Sequence, residues 1–209
     1  MKRIILTSLL AIITILSFSQ KVDTVINNPI LKSYFSYQTH GPLFVVYKLY
    51  HGGGDCSRKT MHFSTGDIKN SATSKDYAHN GYDEGHMANS EDFAYDCDKD
   101  LHTFFFYNAL PQTANLNRGC WKHLETQVRK ESQSDSLLII CGGFGFTKKM
   151  GEVSVPDYCF KIIKNLKSNK FECYLFTNTD NATSETMELQ QLLNNIPFAN
   201  SIKQILNIK

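Results

Sequence analysis

The chain has 209 residues, of which 42% are hydrophobic and 20% charged, a composition typical of a folded globular protein. This composition excludes a disordered tail, a collagen-like repeat and a membrane protein with several spans. The 22 Lys and Arg side chains exceed the 20 Asp and Glu side chains by two, and Lys2 and Arg3 account for both extra charges. The rest of the chain is neutral, so any affinity for a polyanion must come from a local patch.

The N-terminal segment has the pattern of a secretory signal. A basic start precedes a short apolar run, residues 4–16, and small residues stand at positions −3 and −1 of a cut after Ser19. A membrane anchor is the alternative, but the run is shorter than the roughly 20 apolar residues that a span requires. We therefore predict that residues 1–19 are a signal peptide and that residues 20–209 form one domain. After cleavage we expect no stable membrane association, and a secreted or periplasmic protein.

All the cysteines follow the predicted cut: Cys56, Cys97, Cys120, Cys141, Cys159 and Cys173. An even number in an exported chain indicates disulfides, with about 15 possible pairings for six cysteines. The absence of a CxxC spacing argues against a zinc ribbon. Cys159 and Cys173 fall on two strands predicted to form a hairpin, so a bond across that hairpin is one possibility.

The apolar patterns predict the secondary structure. In chain order they predict a strand at 43–50, a polar loop region at 55–100, a strand at 103–107, a helix at 115–129, a strand at 137–141, a hairpin of 153–163 and 170–177, and a helix from Ser184 to before Pro197. Strands with a few helices and no regular alternation predict an α+β fold.

The first segment with chemical potential is Gly81-Tyr82-Asp83-Glu84-Gly85-His86-Met87. It places a histidine after a glycine in a tight, polar stretch. Because imidazole titrates near neutral pH, His86 could act there as a general base. Taken alone, a histidine in a loop is more often an ordinary surface residue.

The second segment carries amides around the predicted start of a helix, at Asn108, Gln112 and Asn117. Amide carbonyl oxygens are hard, neutral ligands that suit Mg²⁺. Glu125 lies two helical turns after Asn117 and could hold a metal-bound water. Arg129 follows one turn later, where it could meet a phosphate or pair with Glu125. The alternative is an amphipathic helix with a solvated Glu–Arg pair and an asparagine cap.

Together the two segments resemble the DNA/RNA non-specific endonuclease family, the ββα-metal nucleases. The family's D-R-G-H signature stands here as Asp83-Glu84-Gly85-His86. Its N-x-x-P-Q-x(4)-N-x-G-x-W-x-x-L-E signature runs from Asn108 to Glu125 with nothing inserted. Further matches near Arg58 and at Gly151–Pro156 extend the resemblance over most of the chain after the signal.

The resemblance implies a ββα-metal core with a central, mainly antiparallel sheet flanked by helices. It also implies a Mg²⁺-dependent enzyme, with Mn²⁺ as a possible substitute, that hydrolyses DNA and RNA with little sequence preference and leaves 5′-phosphates. His86 would be the general base, Asn117 the protein ligand of one metal ion, and Glu125 the group that orients a metal-bound water.

The remaining roles also follow from the resemblance. Asn108 would position His86 or the backbone of the site, and Arg58, Arg118 and Arg129 would contact phosphate. Phosphate contacts carry no base information, which accounts for cleavage without sequence preference.

Glu84 departs from the family pattern, which has arginine at this position, and the roles of Glu84 and Asp83 stay open. The Glu84 carboxylate could turn away and pair with a nearby Lys or Arg, add a ligand to the metal shell, or weaken the site. A carboxylate facing a phosphate with no cation between them is strongly disfavoured. The alternative function is therefore a weak or inactive nuclease-fold protein that binds nucleic acid or a protein partner.

Charge is unevenly distributed along the neutral mature chain. Residues 83–100 carry a net charge of −6 and residues 118–170 a net charge of +5. We expect nucleic acid to lie along the second region, near Arg118, Lys122 and Arg129, with the metal at the boundary. Since few phosphates would be contacted, binding should depend only modestly on salt.

Overall fold

The computed structural model describes residues 20–208, so the signal peptide predicted for residues 1–19 lies outside the described residues. The strands in this part of the chain are β1 (Thr24–Asn27), β2 (Leu31–Ser36), β3 (Gly41–Leu49), β4 (Tyr82–His86), β5 (Ala109–Thr113), β6 (Leu137–Phe144), β7 (Lys148–Met150), β8 (Val153–Val155), β9 (Tyr158–Asn165), β10 (Phe171–Thr177) and β11 (Ser184–Thr186).

The helices are short and lie between and after these strands. They are α1 (Ser74–Tyr77), α2 (Cys97–Leu101), α3 (Lys122–Glu131), α4 (Leu189–Asn195) and α5 (Ala199–Leu206), with 3₁₀ turns at Ser90–Phe93 and Phe106–Asn108 and a π-helical segment at Leu116–Trp121. None of these helices in residues 20–208 has the length and apolarity needed to cross a bilayer.

Seven strands form the central sheet, in the order β1-β2-β3-β6-β9-β10-β11. Every neighbouring pair in it is antiparallel. Strands β4 and β5 form a separate two-stranded hairpin, and β7 and β8 form another. The predicted α+β fold with a central antiparallel sheet flanked by helices is confirmed.

The central sheet is covered on both faces, which explains its apolar strands. On one face, residues such as Tyr47 and Ile139 pack with Trp121 and Leu124 from the chain around α3. On the opposite face, residues such as Ile140 pack against α4 and α5. The first of these layers includes Trp121 and Leu124 of the second motif, so α3 attaches that part of the candidate site to the sheet.

The structure confirms the predicted strand at 43–50 as β3 and the one at 137–141 as the start of β6. It divides the predicted strand at 153–163 into β8 and β9, which are separated at Pro156, a residue without a backbone N–H to donate. The predicted helix after Ser184 begins later, at Leu189, because Ser184–Thr186 pairs with β10 as an edge strand.

The predicted strand at 103–107 is wrong. The backbone there forms turns, and a 3₁₀ turn at Phe106–Asn108 precedes β5. The only strand pairing of this segment in the described chain is an isolated bridge between Phe105 and Ser64, and the Asn108 side-chain amide closes the turn by donating to the carbonyl of Thr103 at 2.9 Å. The aromatic run fills the core without extending, since Phe106 and Tyr107 are both buried. Residues 55–100, predicted as loop, contain β4.

One disulfide is present in the described chain, between Cys56 and Cys97. The suggested bond between Cys159 and Cys173 is wrong, because the strand register places Cys159 opposite Phe176 and Cys173 opposite Ile162. These two cysteines, together with Cys120 and Cys141, are free thiols.

Candidate active site

The β4–β5 hairpin presents the first motif. Its antiparallel register pairs Asp83 with Gln112 and His86 with Ala109, so His86 lies at the end of β4. The glycine of the motif is required by close packing: a Cβ on Gly85 would lie 2.2 Å from the Gln112 Oε1. The motif glycine therefore lets β4 lie close against the Gln112 side chain on β5.

Asn108 is fully buried and holds the backbone that follows His86. Its Oδ1 accepts from the Ala88 N–H at 2.8 Å, and its Nδ2 donates to the carbonyls of Ala88 and Thr103, both at 2.9 Å. All these partners are main-chain groups. Of the two roles expected for Asn108, these contacts favour positioning of the site backbone.

The His86 ring lies beside two aromatic rings, with centroids 4.6 Å from Phe63 and 4.8 Å from Phe104. Its Nε2 is buried and has no hydrogen-bond partner within residues 20–208. Burial, together with the positive charge of Arg58, lowers the pKa of His86 to about 3. The imidazole is therefore neutral at physiological pH.

Arg58 lies on the loop that follows Cys56 and brings a cation close to His86. Its guanidinium forms a 2.6 Å ion pair with Glu91 and a 3.4 Å hydrogen bond to the Ser90 hydroxyl. The Arg58 side chain nevertheless remains 43% exposed. It is held in place and can still meet a ligand from solvent.

Asp83 connects the hairpin to the segment that carries Asn117. Its carboxylate accepts two hydrogen bonds from Arg118, at 2.8 and 2.7 Å, and one from the Asn117 Nδ2 at 2.9 Å. Burial by itself would raise the pKa of Asp83, but these hydrogen bonds outweigh burial and lower it. Because Asp83 engages the nitrogen of the Asn117 amide, the amide oxygen is left for a ligand.

Glu84 lines the same concave surface as these residues. This hollow, of about 530 Å³, is lined by Ser74, Tyr77, Ala78, Tyr82, Asp83, Glu84, Asn117 and Arg118. The Glu84 carboxylate is half-buried; burial and Asp83 raise its pKa, and His62 lowers it. Within residues 20–208 no Lys or Arg forms an ion pair with it. The contacts therefore do not support the expected alternative that Glu84 pairs with a nearby Lys or Arg.

The second motif does not form the continuous α-helix that its spacing predicts. Leu116–Trp121 is π-helical, with non-helical torsions at Gly119, and a regular α-helix begins only at Lys122. The expectation that Glu125 and Arg129 pair along one helix face is also wrong. Arg129 forms an ion pair with Asp92 at 3.0 Å, with only 17% of its side chain exposed.

Glu125 is buried, and both of its oxygens have partners. Lys161 on β9 lies 3.4 Å from its Oε1, and the Asn89 amide donates to its Oε2. The Lys161 ammonium also lies 4.1 Å from the centroid of the Trp121 ring. Burial raises the pKa of Glu125, and the charge of Lys161 is the main opposing influence. Lys161 thus helps to hold the Glu125 carboxylate in place and favours its charged form.

Asn89 links the Glu125–Lys161 pair to a second buried ion pair, between Arg129 and Asp92. Its Oδ1 accepts from Arg129 at 3.0 Å, and Arg129 in turn binds Asp92. Burial raises the pKa of Asp92 to about 7, although Arg129 opposes the shift. Sequence reasoning missed Asn89 and Asp92, which lie in the segment read as a polar loop. A lysine within an apolar strand was the available signal for Lys161.

The predicted site residues therefore fall into four groups. Asp83, Glu84, Asn117 and Arg118 line the hollow. His86 and Arg58 lie close together, Asn108 supports the backbone after His86, and Glu125 and Arg129 belong to the buried network under α3. No set of three or more His, Cys, Asp or Glu side chains in residues 20–208 is arranged to hold a metal ion. The free Asn117 carbonyl fits a hydrated divalent cation, which needs few protein ligands.

A hairpin that ends in a neutral histidine, followed by a helical segment with an exposed amide oxygen, is the ββα arrangement of a metal-dependent nuclease. The chain belongs to the DNA/RNA non-specific endonuclease family, whose model matches residues 11–206.

Several known proteins share this similarity. A protein named nuclease from Nostoc sp. is 38% identical over 95 residues, which cover 44% of this chain and 35% of that protein. Human mitochondrial endonuclease G is 27% identical over 179 residues, which cover 75% of this chain and 60% of that protein. The chain thus spans less than two thirds of the length of either relative.

A solved structure shares the fold. A chain in the crystal structure of an EndoG/EndoGI complex superposes with a TM-score of 0.73 at 20% identity, covering 82% of this chain and 83% of that chain.

The low pKa of His86 predicts a pH-dependent stability. The ordinary pKa is 6.5 and the folded value about 3, so between these values only the unfolded chain binds the proton, and stability falls as pH drops below 6.5. From pH 8 to pH 5, the wild type should lose about 2 kcal/mol more unfolding free energy than His86→Asn. Urea titrations in EDTA measure this, and parallel pH curves would contradict the buried, neutral imidazole.

The Glu125–Lys161 pair predicts a charge-dependent loss of stability. Lys161→Met leaves a buried carboxylate without its cation and should cost about 3–5 kcal/mol of unfolding free energy. Adding Glu125→Gln removes the stranded charge and should recover most of that loss. Lys164→Met, on the same strand, is the control and should change stability by less than about 1 kcal/mol. If the double variant were as unstable as Lys161→Met, packing on Trp121 would be the cause instead of charge.

Proposed function

We propose that this protein is a divalent-metal-dependent endonuclease that hydrolyses phosphodiester bonds of DNA and RNA with little sequence preference and leaves 5′-phosphates. The observation that carries the proposal is the His86 imidazole, which is neutral at physiological pH and lies close enough to Arg58 for that charge to lower its pKa. Family membership and the amide oxygen left free on Asn117 support it.

His86 acts as the general base in this proposal. In this role the neutral imidazole takes a proton from the water that attacks the scissile phosphorus. In the free protein the charge of Arg58 disfavours the imidazolium. A bound phosphate brings negative charge, which offsets that of Arg58 and stabilises the imidazolium as it forms. The Phe63 and Phe104 rings pack against the imidazole and restrict its movement.

Asn117 would hold the metal through its Oδ1, with Mg²⁺ as the preferred ion and Mn²⁺ as an alternative. When bound, the ion supplies positive charge that offsets the charge on the phosphorane and on the leaving oxygen. Glu125, directed by Lys161 and Asn89, would orient a water of the site. Asn108 keeps the backbone after His86 fixed while these groups act.

Arg58 and Arg118 would contact phosphates of the substrate. Their side chains are 43% and 71% exposed, and each is oriented by an acidic partner. Arg129 is mostly enclosed, so we assign it to holding Asn89 and Asp92. Contacts that reach only the backbone of the nucleic acid would explain cleavage of both DNA and RNA.

Digestion of plasmid DNA and of RNA tests this function. With Mg²⁺ the wild type should cut both, and EDTA should abolish cutting. His86→Ala should lower the rate by about 10²- to 10⁴-fold, the usual contribution of a general base, and Asn117→Ala should abolish Mg²⁺-dependent cutting. The control is His123→Ala, an exposed histidine on α3, which should cut at the wild-type rate. A wild type that retards DNA but cuts nothing with Mg²⁺ or Mn²⁺ would instead establish the alternative, a nuclease-fold binding protein.

We further propose that the protein is exported and acts as a secreted or periplasmic enzyme. The N-terminal pattern supports export, and the Cys56–Cys97 disulfide suits an oxidising compartment. Mass spectrometry of protein from the periplasm or medium of an expressing bacterium should find Gln20 as the first residue. Retention of the intact N-terminus on the membrane would overturn this proposal.

A further inference from the structure

We propose that Glu84 is a second protein ligand of the metal, so that this chain holds its cation between the Glu84 carboxylate and the Asn117 amide oxygen. The inference rests on the proposed function in taking the cation to be the one used in cleavage. It assigns a role to the position at which the chain departs from its family.

The charges around the hollow call for a cation. Asp83 is neutralised by its two hydrogen bonds from Arg118. Glu84 has no ion pair with Lys or Arg anywhere in the described chain, so its negative charge is left uncompensated. A half-buried carboxylate in this condition is destabilised unless a positive charge binds it.

The other donors that line the hollow suit a hydrated ion. The Asn117 amide is held through its nitrogen by Asp83, which leaves a neutral oxygen ligand. Tyr77 also lines the hollow, but its hydroxyl is closed off from solvent and offers no ligand there. Mg²⁺ commonly binds one or two protein oxygens and keeps several waters, and a hollow of about 530 Å³ has room for them.

The alternative source of positive charge for Glu84 is His62, the one group whose charge lowers the pKa of the Glu84 carboxyl. His62 is exposed, and no hydrogen bond or ion pair connects it to Glu84 in the described residues. Arg58, whose charge acts on His86, forms its ion pair with Glu91, so it does not neutralise Glu84. Position 84 is thereby free to carry a ligand for the metal.

Direct metal binding tests the assignment without relying on activity. Isothermal titration of full-length mature protein with MgCl₂ and with MnCl₂ should give a Kd at least about tenfold weaker for Glu84→Gln than for the wild type, since removing a charged ligand lowers affinity. The rise in Tm produced by Mg²⁺ should shrink in parallel. The control is Glu185→Gln, an exposed residue on β11, which should bind as the wild type does.

The outcomes separate this inference from the proposed function. If Glu84→Gln binds both metals with the wild-type Kd, the inference is overturned, whether or not the wild type cuts DNA. If Glu84→Gln loses affinity while the wild type cuts nothing, the metal site stands and the nuclease proposal fails. Glu84→Arg adds a further check: it should bind Mg²⁺ more weakly than Glu84→Gln, because a cation replaces the ligand.

Discussion

The candidate site depends on one buried ion pair, between Glu125 on α3 and Lys161 on the central strand β9. Neither charge is accessible to water, so each is tolerable only because the other is present. The pair joins the helix that carries part of the site to an inner strand of the seven-stranded sheet. The Trp121 ring packs over the ammonium of Lys161, and the Asn89 amide donates a hydrogen bond to the Glu125 carboxylate. These contacts hold the site residues around α3 in place.

The hairpin that carries His86 is fixed in a different way. It lies outside the seven-stranded sheet, and the buried amide of Asn108 attaches it through main-chain groups. Polar residues of the two motifs therefore do different work: Asn108 supports backbone, Asp83 orients the Asn117 amide, and only a few groups face the hollow. Most polar residues of the site therefore hold other groups in position, and only a few of them can contact a ligand directly.

Much of this arrangement could be predicted from the sequence. The apolar runs of β3 and β6 predict central strands because both faces of those strands are buried, and the resemblance to the nuclease family predicts His86 and Asn117 as site residues. Local patterns could not predict the π-helical turn at Leu116–Trp121, because it depends on the torsions of Gly119 in the folded chain. Helical spacing offered Glu125 as a partner for Arg129, but its partner is Asp92, which comes from a distant part of the sequence.

Other errors also have a physical origin in tertiary contacts. The aromatic run at 103–107 has strand-like composition, but Asn108 closes a turn there by bonding to Thr103. Strand β4 has few apolar residues, since its stability comes from pairing with β5 and from the close contact at Gly85. A short polar strand of this kind is indistinguishable from loop until its partner is known.

The Cys56–Cys97 bond has a topological consequence for the site. It closes a covalent ring of chain that contains Arg58, Glu84 and His86, while Asn117 and Glu125 lie outside the ring. A single cut in the backbone between residues 56 and 97 would leave both fragments attached to each other, and the two halves of the site would still be held together by the hairpin and the core. The part of the chain with the least regular structure is thus the part protected against loss after proteolytic nicking.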